Sequence, residues 1–439
     1  MKKKWIPHII AVLTFLVFIV LGLASATGPS VGGSTDVYYN ANGGIGTIIR
    51  SQTVKKGESI TIQGGEGLSF GDATFDGWFG YSYPGGNLTN YRGGESIIPP
   101  GGYITLYAKW KLDGIDFESA KGFANKMAWL QNNAVSGGNY TIELNADESF
   151  GSQPLIFPGK SNITITLRGV GSNRVISSAV KDNLSAVPNS FVLKNSLFIV
   201  PPGVTLVLDN NITLLGNSDN NDFLIITYGT GTLRMNKGSV IIGNGGGGVM
   251  TGGNFEMSGG TISGNKEHSY ASGSYNLKDF LGNNDEKNFD WGRGVAVGGT
   301  FTMNGGEISD NNYGGGVFIW NNGTFTMNSG AITNNTLNGN ITQVYGNQKV
   351  TSSRGGGVHI WNDGTFTMNG GTISGNRGSG VVVDGKGTLT INNGTISRNT
   401  AYGDNRGGGV YLWNNAIFRR TGGTVSGNTP DDIYPYTQR

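Results

Sequence analysis

From Val249 onward the chain repeats one alternation of apolar and polar positions. Its clearest copy is Gly355–Asn376, GGGVHIWNDGTFTMNGGTISGN. Three short segments alternate with period two, Val358-His-Ile-Trp, Thr365-Phe-Thr-Met and Thr372-Ile-Ser, as half-buried strands require. Asn-Gly and Gly-Gly pairs between them supply residues that tolerate positive φ at sharp corners. The landmarks keep their register through six units. A valine opens each, at Val249, Val295, Val317, Val358, Val381 and Val410. Phe255, Phe301, Phe325, Phe366, Leu389 and Phe418 follow, then Ile262, Ile308, Ile332, Ile373, Ile396 and Val425. Each unit ends on an asparagine, at Asn265, Asn311, Asn335, Asn376, Asn399 or Asn428. A period of about 20–25 residues predicts a solenoid. Three strands and three corners per unit make it a right-handed parallel β-helix, because nothing between the strands is long enough for a helical crossover.

Earlier segments alternate less regularly: Tyr140–Leu144, Ile163–Leu167, Leu197–Val200, Val204–Leu208, Leu224–Ile226 and Thr232–Met235. Together they extend the β-helix over residues 139–430, with a tail at 431–439. Ten or so coils at a strand spacing of about 4.8 Å give a rod on the order of 50 Å long. In the last coil Phe418-Arg-Arg replaces Phe-Thr-Met, putting Arg420 at an inward position that discourages another chain from stacking on. Before the coils, residues 111–138 form a linker with one helix from Asp116 to Asn133. There Phe117, Ala120, Ala124, Met127 and Leu130 share a face, and Asp116 can cap the start. Its place suits it to cover the open end of the first coil.

Residues 36–110 follow another pattern, of short alternating strands bounded by Gly and Pro. The landmarks are Val37-Tyr-Tyr-Asn-Ala-Asn-Gly-Gly, Phe75-Asp-Gly-Trp78 and Ile104-Thr-Leu-Tyr-Ala-Lys-Trp110. They resemble the internalin-type B-repeat, a small β-grasp-like module of bacterial surface proteins. That resemblance implies a spacer or adhesive unit without catalytic residues, with Trp78 and Trp110 in its core. The N-terminus reads as a signal peptide over residues 1–26, with Lys2-Lys3-Lys4, an apolar run from Ile9 to Leu23, then Ala24-Ser25-Ala26. A retained anchor is the alternative. Residues 27–35 form a flexible leader, and no later segment is expected to insert in a membrane. The expected location is extracellular or on the cell surface.

The 439 residues carry a net charge of +2, and only 14% are charged, so no basic footprint for nucleic acid exists. Cysteine is absent, which removes disulfides and thiol chemistry. The three histidines, His8, His268 and His359, are too far apart in sequence to suggest a metal site, and no cofactor is expected.

Candidate chemistry gathers at one corner of the coil. Lys266–Arg293, Thr336–Arg354 and Thr400–Arg406 are all inserted between the asparagine turn and the opening valine. Insertions stacked on one edge of a solenoid often form its binding face. Beside them Trp320, Trp361 and Trp413 recur at one outward position, with Phe318, His359 and Tyr411 outward two residues earlier. Arg354, Arg377 and Arg406 each stand four residues before a valine. Aromatic faces and guanidinium forks suit sugar rings and acidic groups. The competing reading is a packed ladder in which the tryptophans shield a strand edge and the arginines stack on them. Asp384 interrupts the tryptophan column. The terminal asparagines are expected to hydrogen-bond along the axis rather than bind a ligand.

The repeats resemble the β-helix surface proteins of bacteria, the adhesin-like and polymorphic-membrane-protein-like group with FTMNGGTISGN units. The resemblance implies non-catalytic binding of glycans or of surface proteins on host or neighbouring cells. Self-driven secretion is not expected, for want of an autotransporter's C-terminal barrel. Two alternatives stay open. Pectate lyases and galacturonases share the architecture, but need clustered carboxylates. Here Glu256, Glu307, Asp310, Asp363, Asp384 and Asp404 do not recur at one outward position, Asp431-Asp432 lies in the tail, and Asp285, Glu286 and Asp290 lie in an insertion. No catalytic residue is therefore assigned. A purely structural envelope rod is the other alternative.

Overall fold

A computed structural model describes residues 33–435, apart from 50, 84–87, 100–102, 180–195, 221, 267–292, 321, 338–340, 346–347, 353–354, 402–406 and 414. The signal segment, most of the leader and the end of the tail lie outside the described residues.

The protein is mostly β, with one short helix among the described residues. Residues 34–111 form a five-stranded mixed sheet. Its strand order is Ser51–Lys55, Ser34–Asn40, Tyr103–Lys111, Thr74–Tyr83, Leu88–Tyr91. Ser34–Asn40 and Tyr103–Lys111 run parallel, and the other pairs are antiparallel. Trp78 and Trp110 are fully buried, as expected of core residues. Their indole N–H groups donate to the carbonyls of Gln63 (2.8 Å) and Ala41 (3.1 Å).

The helix, α1, spans Gly122–Asn133, a later start than Asp116. Gly122 has φ +78°, which separates α1 from the turn before it. Asp116 does cap, but it caps that turn, accepting from Ser119 N at 2.7 Å. The start of α1 is held instead by Glu148, whose carboxylate accepts from Phe123 N at 2.9 and 3.0 Å. Phe123 stacks on Phe150 at 4.1 Å between centroids and packs edge-on to Phe198. The helix thus covers the first coil, as its position in the sequence suggested.

Beyond it the chain is a β-solenoid of long parallel sheets, with three strands per turn. One coil consists of Val358–Ile360 on a first face, Thr365–Met368 on a second and Thr372–Ser374 on a third. The third face is a ten-stranded sheet in strict coil order. On the second, Phe255, Phe301, Phe325 and Phe366 lie in register, their rings stacked at 4.5, 4.6 and 4.7 Å. Beside them Met257, Met303, Met327 and Met368 make a second buried column. The corner glycines are fixed by this spacing. A Cβ on Gly371 (φ +87°) would fall 2.5 Å from Met327 Cε and 2.8 Å from Gly330 O. One hydrophobic core runs from Val37 in the N-terminal sheet, through α1, to Val425 in the last coil.

Candidate functional site

The outward side of the first face carries two columns of side chains. One runs Ile226, Met250, Ala296, Phe318, His359, Val382, Tyr411, Tyr434 in unbroken register. The other holds Trp320, Trp361, Asp384 and Trp413. Each of these donates its backbone N–H one coil back, to Val297, Ile319, Ile360 and Val383 at 2.8–3.0 Å. The predicted outward positions are therefore correct, and Asp384 does sit between two tryptophans.

Outward is not the same as exposed. Trp320 is 1% exposed, Phe318 3% and His359 4%. Trp320 belongs to a hydrophobic cluster outside the coil interior, with Phe223, Ile226, Ala296 and Phe318. The preceding coil explains how it fits. Ala296 is small, and Gly298 leaves room that a side chain would fill, since a Cβ there would lie 2.8 Å from the indole. The Phe318 and Trp320 rings lie 5.6 Å apart and nearly parallel. The guanidinium of Arg293, itself buried, sits 4.2 Å from the Phe318 ring centre. This part of the strip is packed, as the ladder reading expects, but the cation–π pair joins Arg293 to Phe318, not one of Arg354, Arg377 and Arg406 to a tryptophan. Arg293 and Phe223 were not among the predicted stack; no regular spacing marks them.

Further along, the cover thins. Trp361, Asp384, Tyr411, Trp413 and Tyr434 are all only partly buried. Tyr411 and Tyr434 stack at 5.9 Å with 8° between their planes, and Tyr411 lies 6.5 Å from Trp413. Burial pushes the pKa of the Tyr411 hydroxyl up, and Tyr434 and Asp384 add to the effect. Arg377 is exposed at the corner before the strand, where its backbone bridges Thr336 and Thr400. Arg354 and Arg406 lie outside the described residues, as do the aromatic residues of the first insertion and Asp285, Glu286 and Asp290.

The asparagines behave as expected of an axial ladder. Asn311 Nδ2 donates to Asn335 Oδ1 (2.9 Å), Asn335 to Asn376 (3.1 Å), Asn376 to Asn399 (2.9 Å) and Asn399 to Asn428 (3.0 Å), all buried. The ladder ends on Asp432, which accepts from both N and Nδ2 of Asn428 at 2.9 Å. The repeat pattern places Asp432 in the tail, and no recurring spacing marks this role. A second, exposed ladder joins Asn304, Asn328, Asn369 and Asn392, with each later coil donating to the one before.

Among the described residues the remaining acids are dispersed. Glu256 pairs with Arg234 at 2.8 Å, and Glu307 accepts from Thr333 at 2.6 Å. Among the described residues no three His, Asp or Glu side chains gather where they could hold a metal ion. No family model, curated protein or solved structure matches the chain. The likenesses drawn from the repeats and the N-terminal landmarks rest on those residues alone.

Proposed function

We propose that the protein is an exported, non-catalytic, adhesin-like binding rod of the kind its repeats and B-repeat-like module resemble. Its contact surface is the outer side of the first face toward the C-terminal end, and its ligands are surface glycans. One observation carries the reading: Trp361, Tyr411, Trp413 and Tyr434 stay partly exposed together on neighbouring coils, around Asp384. Aromatic rings with one wet face and polar neighbours suit pyranose stacking, while the acids of the described residues, being dispersed, give an acid–base or calcium mechanism little to work with. Of the residues first considered, Trp361 and Trp413 are the best placed to bind; Trp320 lies in the packed cluster against which Trp361 rests, and His359 lies beside its Phe318.

The test is a tryptophan-fluorescence titration of the chain from Thr27 with neutral and acidic polysaccharides, calcium present, while absorbance is followed for unsaturated sugar. A saturable change lost in Trp361→Ala plus Trp413→Ala, without product, is expected. Product formation would replace this reading with a lyase. The burial of Trp320 and Phe318 favours a second reading, a structural rod, which predicts silence toward every glycan. Export is tested separately by N-terminal sequencing of protein recovered outside the producing cell, with Thr27 expected first.

A further inference from the structure

Trp361 and Trp413 share one column and are separated by one coil, that of Asp384. At a coil repeat of about 4.8 Å their anchor points lie about 10 Å apart along the rod axis. The coil between them places Asp384 in the same column, while Val382 in the neighbouring column is fully covered. The column thus runs tryptophan, aspartate, tryptophan, each side chain only partly buried. The stacked pair Tyr411 and Tyr434 stands in the neighbouring column, beside Trp413 and beyond it.

Pyranoses joined through equatorial bonds form a nearly straight chain whose rings turn over at each residue. Such a chain shows the same ring face at every second sugar, with a repeat close to the separation of the two indoles. A bent, axially linked chain does not keep that register. The intervening sugar would lie over Asp384. A carboxylate has about four lone-pair sites, so it can accept from a sugar hydroxyl while serving another partner.

We infer that this column takes an extended, unbranched, equatorially linked polysaccharide lying along the rod axis, with Trp361 and Trp413 stacking on alternate sugars across Asp384. This rests on the glycan-binding reading above and narrows it to a ligand class and a direction.

The test is calorimetry of the chain from Thr27 with β-1,4-linked gluco-oligosaccharides from monomer to hexamer, and α-1,4-linked oligomers as the bent control. Three sugars are the least that reach both indoles. Affinity is expected to rise about tenfold from dimer to trimer, the size of one added aromatic contact, and not to rise so in the α-linked series. Trp361→Ala and Trp413→Ala should each reduce the trimer to the level of the dimer. Trp361→Tyr and Trp413→Tyr, which keep a ring in place and spare the fold, should retain the step. Equal affinity at all lengths, or a step that neither alanine variant moves, would overturn the inference and leave glycan binding standing. A folded chain that binds none of these oligomers and no polysaccharide would overturn the parent reading as well.

Discussion

The two ends of the solenoid are closed in different ways. At the N-terminal end the core is continued by protein. Helix α1 lays Phe123, Met127 and Leu130 in the common core, and behind it stands the five-stranded sheet. The polar seam is also made. Gly43 N donates to Ser152 O at 2.8 Å, Gln153 Nε2 to Asn42 Oδ1 at 2.9 Å, and Asn125 Nδ2 to Asp72 Oδ2 at 2.7 Å. At the other end the described chain offers single side chains. Arg420 takes the place in register of Ile391 and the methionines, and its guanidinium turns to the carbonyls of Gly422 (3.1 Å) and Gly423 (2.7 Å). Asp432 closes the asparagine ladder, while Phe418 and Ile433 stay partly exposed. A hydrophobic stack needs area to end well. A hydrogen-bonded ladder needs only one acceptor.

This contrast sets the order of expected effects. Phe123→Ala removes the ring stacked on Phe150 and packed edge-on to Phe198, at a cost of about 3–5 kcal/mol. In a denaturant melt the N-terminal sheet and first coils should lose structure together; a sheet that survives alone would separate the two bodies. Asp432→Ala leaves two buried donors of Asn428 without their acceptor, at about 1–3 kcal/mol. Hydrogen exchange should quicken at Asn428 and Asn399 and not at Phe123.

Smaller still is the effect of Glu148. Burial pushes its carboxyl above the ordinary value of 4.5, against the lowering effect of the N–H groups of Phe123 and Ala124. A raised pKa means that the folded state holds this proton more tightly than the unfolded chain does. Its contribution to stability is therefore full below about pH 4.5 and is lost as pH rises through the raised value. Melting temperatures measured across that range should show the decline, and Glu148→Gln should flatten it. Arg420→Met should change stability least. It extends the buried methionine column to an open edge, so light scattering should show concentration-dependent association absent from the parent chain.

The repeat was largely legible. Phe325, Ile332 and Asn335 fall where their spacing put them, because a strand has only two sides and each coil copies the last. The ends were not. Glu148 caps a helix lying 25 residues earlier in the chain, and Asp432 follows the last landmark without any spacing to announce it. Periodicity gave the direction of Trp320 and Trp361 but not their cover. What buries Trp320 includes Phe223, nearly a hundred residues away, and the vacancy of a glycine on the preceding coil. Exposure depends on such neighbours, and a period of two carries no information about them.

The hydrogen bonds between coils run along the rod, and this has a mechanical consequence. A pull between the two ends loads those bonds in tension rather than in shear, so coils would come away singly from an edge. The segment from Val358 to Val381 would pay out on the order of 75 Å of chain at about 3.3 Å per residue, in place of one coil step. The C-terminal edge, held by Arg420 and Asp432, would open before the helix-covered end. A rod tethered there would lengthen under load by many small releases, and the far sheet would stay folded while it did so.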